Sequence, residues 1–219
     1  MTNVLITGAN RGIGLEISRQ YAARGDEVIA VCRQTSPELN GLGVRVIDGI
    51  DVTSSDSCDV LQRELDGLLL DRLVNNAGIL ERNTLDNFNS ESIERQFRVN
   101  AVAPLRVTTA LLPNLESGSR VFIITSRMGS VEDNSSGGSY GYRMSKAAVN
   151  MAGKSLSVDL QEQGIAVILL HPGWVSTEMT GQTGIPAEQS AAGLIERMDS
   201  LGIEQTGTFW HQEGYELPW

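Results

Sequence analysis

The chain has 219 residues, 41% of them hydrophobic and 20% charged, a composition typical of one globular domain. Its formal net charge of −10 argues against nucleic acid or an anionic membrane surface as the main partner, because binding phosphate groups needs a basic face. No apolar run approaches the ~20 residues that span a membrane, and the first residues lack the pattern of a signal peptide.

The cysteines and histidines also limit the possible functions. The two cysteines, Cys32 and Cys58, lack C-x-x-C spacing and are expected to be free thiols in a reducing compartment. The two histidines, His171 and His211, form no recognisable metal-binding pattern. We therefore expect a cytoplasmic protein without a metal.

The first stretch of the chain predicts the start of a parallel sheet. Residues 4–7 are an apolar run with β-branched side chains, which indicates a buried strand. A helical stripe begins at Leu15 and ends near Gly25, and residues 27–32 form a second predicted strand. Strand, turn, helix and strand in this order are typical of α/β proteins.

The glycine-rich turn before that helix favours binding of a dinucleotide. Glycine tolerates positive φ and lets a pyrophosphate approach the backbone, and the helix that follows offers unpaired N–H groups. The spacing is G-x-x-x-G-x-G rather than the general G-x-G-x-x-G, and a turn that merely packs helix on strand is the alternative. The candidate cofactor-binding residues are Gly8, Asn10, Arg11, Gly12, Ile13 and Gly14.

The second and third strands indicate which cofactor is bound. NAD enzymes of this architecture place an acid after the second strand, whereas this chain has Arg33 there. Together with Arg11, this guanidinium suits a 2′-phosphate, so we predict NADP rather than NAD, unless both arginines are merely solvated. After a third strand, Asp51 could accept from the adenine amino group and Val52 could cover the ring. Alternatively, Thr53 or Ser54 only caps the next helix.

The middle of the chain places amides after a fourth strand. Residues 71–75 form this strand, and Asn76, Ala77 and Gly78 follow it. Small residues and amides at this position suit a crevice in which a ligand approaches the backbone closely. An Asx-type turn is the alternative. The next helix is predicted to begin near Ser90, with that serine as its candidate cap. It carries Asn100 as an amide in an apolar stripe that must find partners if buried, and Leu105 continues the stripe as a buried residue.

A tyrosine and a lysine four residues apart follow the strongest strand, residues 120–125. Tyr142 and Lys146 share one helix face, and Ser126 lies directly after the strand. Free tyrosine has a pKa of ~10, and a cation roughly 4 Å away supplies the ~4 kcal/mol needed to bring it near neutrality. The spacing is thus sufficient for a tuned tyrosine acid or base, but it is not specific, and an exposed helix face is the simpler interpretation of the pair alone.

The remaining elements complete one doubly wound α/β domain over residues 1–219, with a mostly parallel sheet of about seven strands. A strand over 165–170 ends at Pro172-Gly173. A short substrate loop follows at about 174–186 and could be a mobile flap. The aromatic tail after the last strand is expected to pack on the sheet edge. Functional sites should lie at the carboxyl ends of the strands.

Several motifs follow one another in a characteristic order. They are Thr7-Gly8-Ala-Asn-Arg-Gly12-Ile-Gly14, Asn75-Asn-Ala-Gly78, Val99-Asn100, Ile124-Thr-Ser126, Tyr142-x-x-x-Lys146 and Pro172-Gly173. Each is weak alone, but in this order they are specific, and over nearly its whole length the chain resembles the short-chain dehydrogenase/reductase family. The Asn-Arg-Gly-Ile-Gly turn, Arg127-Met-Gly-Ser and the tail ending in tryptophan are similar to the C-factor-like, small carbonyl reductase branch.

The resemblance implies a role for each matched residue. Tyr142 would be the general acid in reduction and the base in the reverse direction, and Ser126 would hydrogen-bond the reacting oxygen. Lys146 would hold the nicotinamide ribose and lower the pKa of Tyr142, which also contacts the cofactor. Asn100 would anchor a water that passes protons to Lys146. The nicotinamide carboxamide would be held by Pro172, Gly173, Val175 and Thr177.

Two departures from the family pattern leave choices open. Gly129 occupies the usual serine position, so Ser126 and Ser130 compete, and we prefer Ser126 because it follows the strand directly. Tyr140 competes with Tyr142 but has no lysine four residues later. The segment after Pro172 is short for the family, which leaves the substrate unspecified.

We therefore expect an NADP(H)-dependent oxidoreductase that acts on a small carbonyl or alcohol. The alternative is a nucleotide-binding signalling protein with little turnover; a lyase or isomerase is less favoured. Small residues on the Tyr142 helix permit a homodimer: Ala147, Ala148, Ala152 and Gly153.

Overall fold

A computed structural model describes residues 1–219. Its seven strands are all parallel and form one sheet in the order β3-β2-β1-β4-β5-β6-β7. The strands are β1 Asn3–Thr7, β2 Glu27–Val31, β3 Arg45–Ile47, β4 Arg72–Asn75, β5 Arg120–Ile124, β6 Ala166–His171 and β7 Phe209–His211. The order reverses between β1 and β4, where two carboxyl ends diverge and open a crevice.

Helices cover both faces of the sheet, as expected for a doubly wound domain. They are α1 Gly12–Ala23, α2 Pro37–Asn40, α3 Ser55–Glu64, α4 Ser90–Phe97, α5 Ala103–Ala110, α6 Tyr140–Gln161 and α7 Ala187–Ser200. Alternate strand residues point to opposite faces, so Leu5 joins the core under α3, α5 and α6, whereas Val4 and Ile6 join the core under α1, α2 and α7. No helix combines the length and apolar character needed to cross a membrane.

A π-helical turn over Arg98–Val102 joins α4 to α5, and the helices on either side of it correct two predictions. On α5, Leu105, predicted to be buried, is 42% exposed, because it lies off the helix face on which Pro104, Val107 and Thr108 are buried. The amino end of α4 is capped by Asn89, whose side chain accepts from the Ser92 N–H, and not by Ser90.

A partly buried ion pair lies at the amino ends of the strands. Arg72 on β4 donates at 2.6 Å both to the Tyr21 hydroxyl on α1 and to Asp199 on α7. Arg24 binds the same carboxylate at 2.8 Å. These contacts hold α1 and α7 together at the end of the sheet opposite the predicted site.

The aromatic tail packs on the sheet edge, as predicted. Leu217 is buried, and the Trp219 ring stacks on Phe209 of β7 with ring centroids 5.7 Å apart. The Trp219 carbonyl accepts from the backbone N–H groups of Val131 and Glu132, at 3.1 Å each. The tail therefore reaches the loop that follows Ser126.

Candidate active site

The glycine-rich turn lies against the loop after β4, with backbone touching backbone. Gly8 has a φ of 66°, and a Cβ atom there would lie 2.9 Å from the Cα atom of Ala77. A Cβ atom at Gly14 would lie 2.5 Å from the side-chain nitrogen of Asn76. Close packing alone therefore explains why glycine occupies positions 8 and 14, which agrees with the alternative that this turn merely packs helix on strand. Gly12, with a φ of 56°, has no such close neighbour.

The amino end of α1 offers backbone donors to an anion. The helix begins at Gly12, and its N-cap residue Arg11 makes no side-chain cap. The first N–H groups of a helix have no intrahelical acceptor, and the helix dipole favours negative charge beside them. Asn10 and Ile13 flank this end, and the Asn10 carbonyl accepts from the Ser36 hydroxyl at 2.8 Å. These donors suit the pyrophosphate of a dinucleotide.

Thr7 is a site residue that was not among our candidates. Its hydroxyl accepts from the backbone N–H groups of Asn76 at 3.0 Å and Ala77 at 3.1 Å. The Asn76 amide returns hydrogen bonds to the carbonyls of Thr7 and Gly8. Thr7 thus fixes the ends of β1 and β4 on either side of the crevice, and its place directly before Gly8 was the one available signal.

The two arginines predicted to share a phosphate have different neighbours. Arg11 forms an exposed ion pair with Glu178 in the loop after β6. Arg33 lies near Asp51 and contributes to lowering the pKa of that carboxyl. The two guanidinium groups therefore do not share a partner.

Asp51 stabilises its own turn. Its carboxylate accepts from the backbone N–H of Thr53 at 2.9 Å and from the Thr53 hydroxyl at 2.8 Å. The hydrogen bond from the Thr53 backbone is the main reason that the pKa of Asp51 is lowered. Ser54 caps α3 by accepting from the Ser57 N–H. One carboxylate oxygen remains free of these bonds, and Val52 is half-buried beside it.

Tyr142 and Lys146 are buried together near the carboxyl end of β5. The Lys146 Nζ atom donates to the Ile124 carbonyl at 2.9 Å and lies 5.7 Å from the centroid of the Tyr142 ring. Burial raises the pKa of Tyr142 to about 12, against an opposing hydrogen bond from Ser126. Burial also lowers the pKa of Lys146 to about 8. Without a cofactor, Tyr142 is therefore protonated at neutral pH, unlike the near-neutral pKa that the spacing suggested, because desolvation dominates.

The two candidate serines have different environments. Ser126 accepts from the Met128 N–H at 3.1 Å, and its hydroxyl acts on Tyr142 to lower the pKa of that phenol against the larger effect of burial. Ser130 accepts from the Asp133 N–H at 3.1 Å, within its own turn. Tyr140 begins α6 and is 37% exposed. The structure therefore brings Ser126, Tyr142 and Lys146 together.

Asn100 is buried in the π-helical turn and is occupied with protein groups. Its side-chain oxygen accepts from the Ile79 N–H at 2.8 Å, and its nitrogen donates to the Ile79 carbonyl and the Ser145 hydroxyl. A Cβ atom at Gly78 would lie 3.3 Å from the Asn100 oxygen and 3.8 Å from the Lys146 Nζ atom. Because Gly78 has no side chain, the space between the Asn100 oxygen and the Lys146 Nζ atom stays open.

The loop after β6 has its own hydrogen bonds. Gly173 has a φ of 86°, and the Ser190 hydroxyl donates to the Pro172 carbonyl at 2.7 Å. Val175 is buried and pairs with Ile185. The side chain of Thr177 lies 3.4 Å from the position of a Cβ atom on Gly12, so the loop lies over the glycine-rich turn.

Both histidines lie beside the site, which the sequence reasoning missed. The rings of His171 and His211 are 5.1 Å apart, at the adjoining carboxyl ends of β6 and β7. Burial lowers the pKa of His171 to about 3, so it is neutral. A cleft of about 270 Å³ opens beside His211, lined by Gly173, Trp174, Gly184, Ile185, Gln212 and Glu213. No group of three or more histidine, cysteine or acidic side chains could hold a metal ion.

Known proteins share both the sequence and the fold. The chain is 42% identical over its full length to the 1-hydroxy-2-glutathionyl-2-methyl-3-butene dehydrogenase of Rhodococcus, of which it covers 100%. It is 46% identical to the C-signal protein of Myxococcus xanthus over 68% of this chain and 93% of that protein. The structure is similar to that of an NADPH-bound carbonyl reductase from chicken fatty liver, with a TM-score of 0.91, 31% identity, and coverage of 100% of this chain and 99% of that one.

The family itself follows from the match to its sequence model. The model of the short chain dehydrogenase family matches residues 2–187, which include every motif named above except the tail ending in tryptophan. The expected resemblance, including its likeness to C-signal and to carbonyl reductases, is confirmed. The chain belongs to the short-chain dehydrogenase/reductase family.

Proposed function

We propose that this protein is an NADP(H)-dependent oxidoreductase that transfers a hydride between the nicotinamide and a small carbonyl or alcohol. The proposal rests chiefly on one observation: Ser126 and Tyr142 meet beside Lys146, at the carboxyl edge of the sheet. A donor pair of this kind is what a carbonyl oxygen needs as negative charge develops on it.

The protonation state of Tyr142 suits a role as general acid in carbonyl reduction. Tyr142 holds its proton at neutral pH, as a general acid in carbonyl reduction must. Ser126 would donate a hydrogen bond to the same oxygen, and Lys146, which bonds a backbone carbonyl in the structure, has further donors for the ribose hydroxyls. Bound NADPH would supply the hydride. In the reverse direction Tyr142 would accept the proton of the alcohol.

Proton resupply is assigned to the region between Asn100 and Lys146. Because both amide hydrogens of Asn100 are used by Ile79 and Ser145, a water there would bind the remaining lone pair of the Asn100 oxygen. Gly78 leaves the approach open. Lys146 would then pass the proton between this water and the ribose hydroxyl next to Tyr142.

The choice of NADP over NAD is supported by Arg33 and Arg11. No acid follows β2 to bind a free ribose 2′-hydroxyl, and Arg33 is exposed where the 2′-phosphate would lie. The Arg11 guanidinium would bind the phosphate in place of Glu178, or would bind both anions at once. The carbonyl reductase of similar structure was solved with NADPH bound.

We further propose that residues 1–219 form one domain that contains both the cofactor site and the substrate loop, 174–186. The side chains at Asp51, Val52, Asn76, Ala77, Pro172, Gly173, Val175 and Thr177 would complete the cofactor site. A homodimer through α6 and a cytoplasmic location remain part of this proposal.

The likeness to C-signal favours a second candidate, a nucleotide-bound signalling protein with little turnover. The two functions are separated by incubating the purified protein with NADPH and a panel of aldehydes and ketones, and with NADP and a panel of alcohols. The alcohol panel includes a glutathione conjugate, because the Rhodococcus relative is named for one. Turnover supports the oxidoreductase, whereas tight NADPH binding without turnover of any substrate supports the signalling protein.

A further inference from the structure

Gln96 is a fully buried amide in the last turn of α4, one helical turn before Asn100. Its nitrogen donates to the Asn83 side-chain oxygen at 3.0 Å, and its oxygen accepts from the Glu81 N–H at 3.0 Å. The Asn83 nitrogen donates in turn to the Ser92 hydroxyl at 3.1 Å. The polar side chains of this cluster are at most 4% exposed, so their hydrogen bonds are hard to replace by water.

The cluster lies directly against the helix turn that carries Tyr142. A Cβ atom at Gly141 would lie 2.6 Å from the Gln96 nitrogen, 2.8 Å from the Asn83 oxygen and 3.1 Å from the Cα atom of Ile93. Gly141 is buried within α6 and has no positive φ, so close packing on α4 is the reason for a glycine here.

The first turn of α6 has little other support from its own end. Its N-cap residue, Ser139, has a left-handed φ of 46° and makes no side-chain cap. One turn further on, Asn100 donates to Ser145, whose hydroxyl donates to the Tyr142 carbonyl at 2.8 Å. Gln96 thus packs against the first turn of α6, and Asn100 hydrogen-bonds to the next turn. Both side chains also hydrogen-bond to the loop after β4.

We propose that Gln96 and Gly141 are positioning residues for Tyr142, because they set how closely the amino end of α6 packs on α4. The inference rests on the proposed function, in which the Tyr142 hydroxyl delivers the proton. Neither residue would touch the substrate or the cofactor. Displacing a catalytic group by about 1 Å can cost on the order of a hundredfold in rate.

The test compares Gly141→Ala with Gly153→Ala on the same helix. A Cβ atom at Gly153 would meet Leu169 at 3.0 Å, so both changes crowd a buried face of α6, but Gly153 is three turns from Tyr142. Steady-state kinetics, NADPH affinity and thermal unfolding are measured for both variants. Gln96→Met, which keeps the side-chain length but removes the hydrogen bonds, provides the test if Gly141→Ala fails to fold.

Gly141→Ala and Gln96→Met are each expected to lower kcat by about tenfold to a hundredfold, with NADPH affinity within about twofold of the wild type. Gly153→Ala should lose thermal stability but keep kcat. The inference is overturned if kcat of the two variants stays near that of the wild type, or falls only in parallel with NADPH affinity or with Gly153→Ala. A failure of the proposed function is distinguishable, because the wild type would then turn over no substrate, or Tyr142→Phe would retain the activity of the wild type.

Discussion

Replacing Ser126 by alanine should remove the proposed hydrogen bond to the reacting oxygen. Loss of one donor to a developing oxyanion typically costs about 2.7–4 kcal/mol, or about a hundredfold to a thousandfold in kcat. The structural cost should be small, because Ser126 otherwise makes a single local bond, from the Met128 N–H at 3.1 Å. Steady-state reduction of one carbonyl with saturating NADPH measures the effect.

Ser130 provides a matched control for Ser126. It is also buried and accepts one local bond, from the Asp133 N–H at 3.1 Å, so Ser130→Ala loses a similar structural contact. Each variant should lose about 1 kcal/mol of stability. Only Ser126→Ala should lose most of its kcat/KM. An equal loss in both variants, or a larger one in Ser130→Ala, would refute the assignment of Ser126.

Three other predictions concern the cofactor, pH and stability. Arg33→Ala should weaken binding of NADPH by about tenfold to a hundredfold and leave NADH nearly unchanged, because it removes a charge-assisted contact to the 2′-phosphate; equal weakening in fluorescence titrations would contradict this. Burial lowers the pKa of Lys146 from 10.5 to about 8, so between these values the unfolded chain binds more protons and stability should rise with pH, by up to about 3 kcal/mol. Denaturant unfolding from pH 8 to 10 should show a smaller rise in Lys146→Met, and an unchanged rise would be evidence against a Lys146 pKa that burial lowers. Arg72→Met should cost about 2–3 kcal/mol of stability in denaturant unfolding, because the Tyr21 hydroxyl and Asp199 each lose a partner. Arg45→Met, which breaks an exposed ion pair with Glu64, should cost less than about 1 kcal/mol. Similar losses of stability in the two variants would refute this prediction.

The strands and their carboxyl-end motifs could be predicted because each is local. A short apolar run ending in glycine or a small polar residue marks a buried parallel strand, and this pattern located β1, β5 and β6 within a residue or two. The order of the strands in the sheet has no comparable local signal. The sequence predicted a doubly wound, mostly parallel sheet without the order of its strands, which the structure supplies.

Leu105 shows where apolar character alone fails. It is an apolar residue among buried ones in the sequence, but it lies about 100° around α5 from Pro104 and off the face formed by Pro104, Val107 and Thr108, so it is 42% exposed.

The buried polar residues were the least predictable part of the site. Gln96 and Asn83 look like solvated residues in the sequence, and their burial depends on a glycine, Gly141, more than forty positions away. The ion pair of Arg11 with Glu178 and the contact between His171 and His211 likewise join distant segments. The pKa of Tyr142 differed for a related reason: the spacing to Lys146 was visible, but the burial of both groups was not.

The role of Tyr142 is tested most directly by the ratio of kcat/KM between Tyr142→Phe and Tyr140→Phe. Both variants lose one phenolic hydroxyl from the same helix turn, but Tyr142 is buried beside Ser126 and Lys146 whereas Tyr140 is exposed. With NADPH and a carbonyl that the wild type reduces, Tyr142→Phe should lose about a hundredfold to ten-thousandfold, and Tyr140→Phe should stay within about twofold of the wild type. Comparable activity in the two variants would contradict the assignment of Tyr142 as the proton donor.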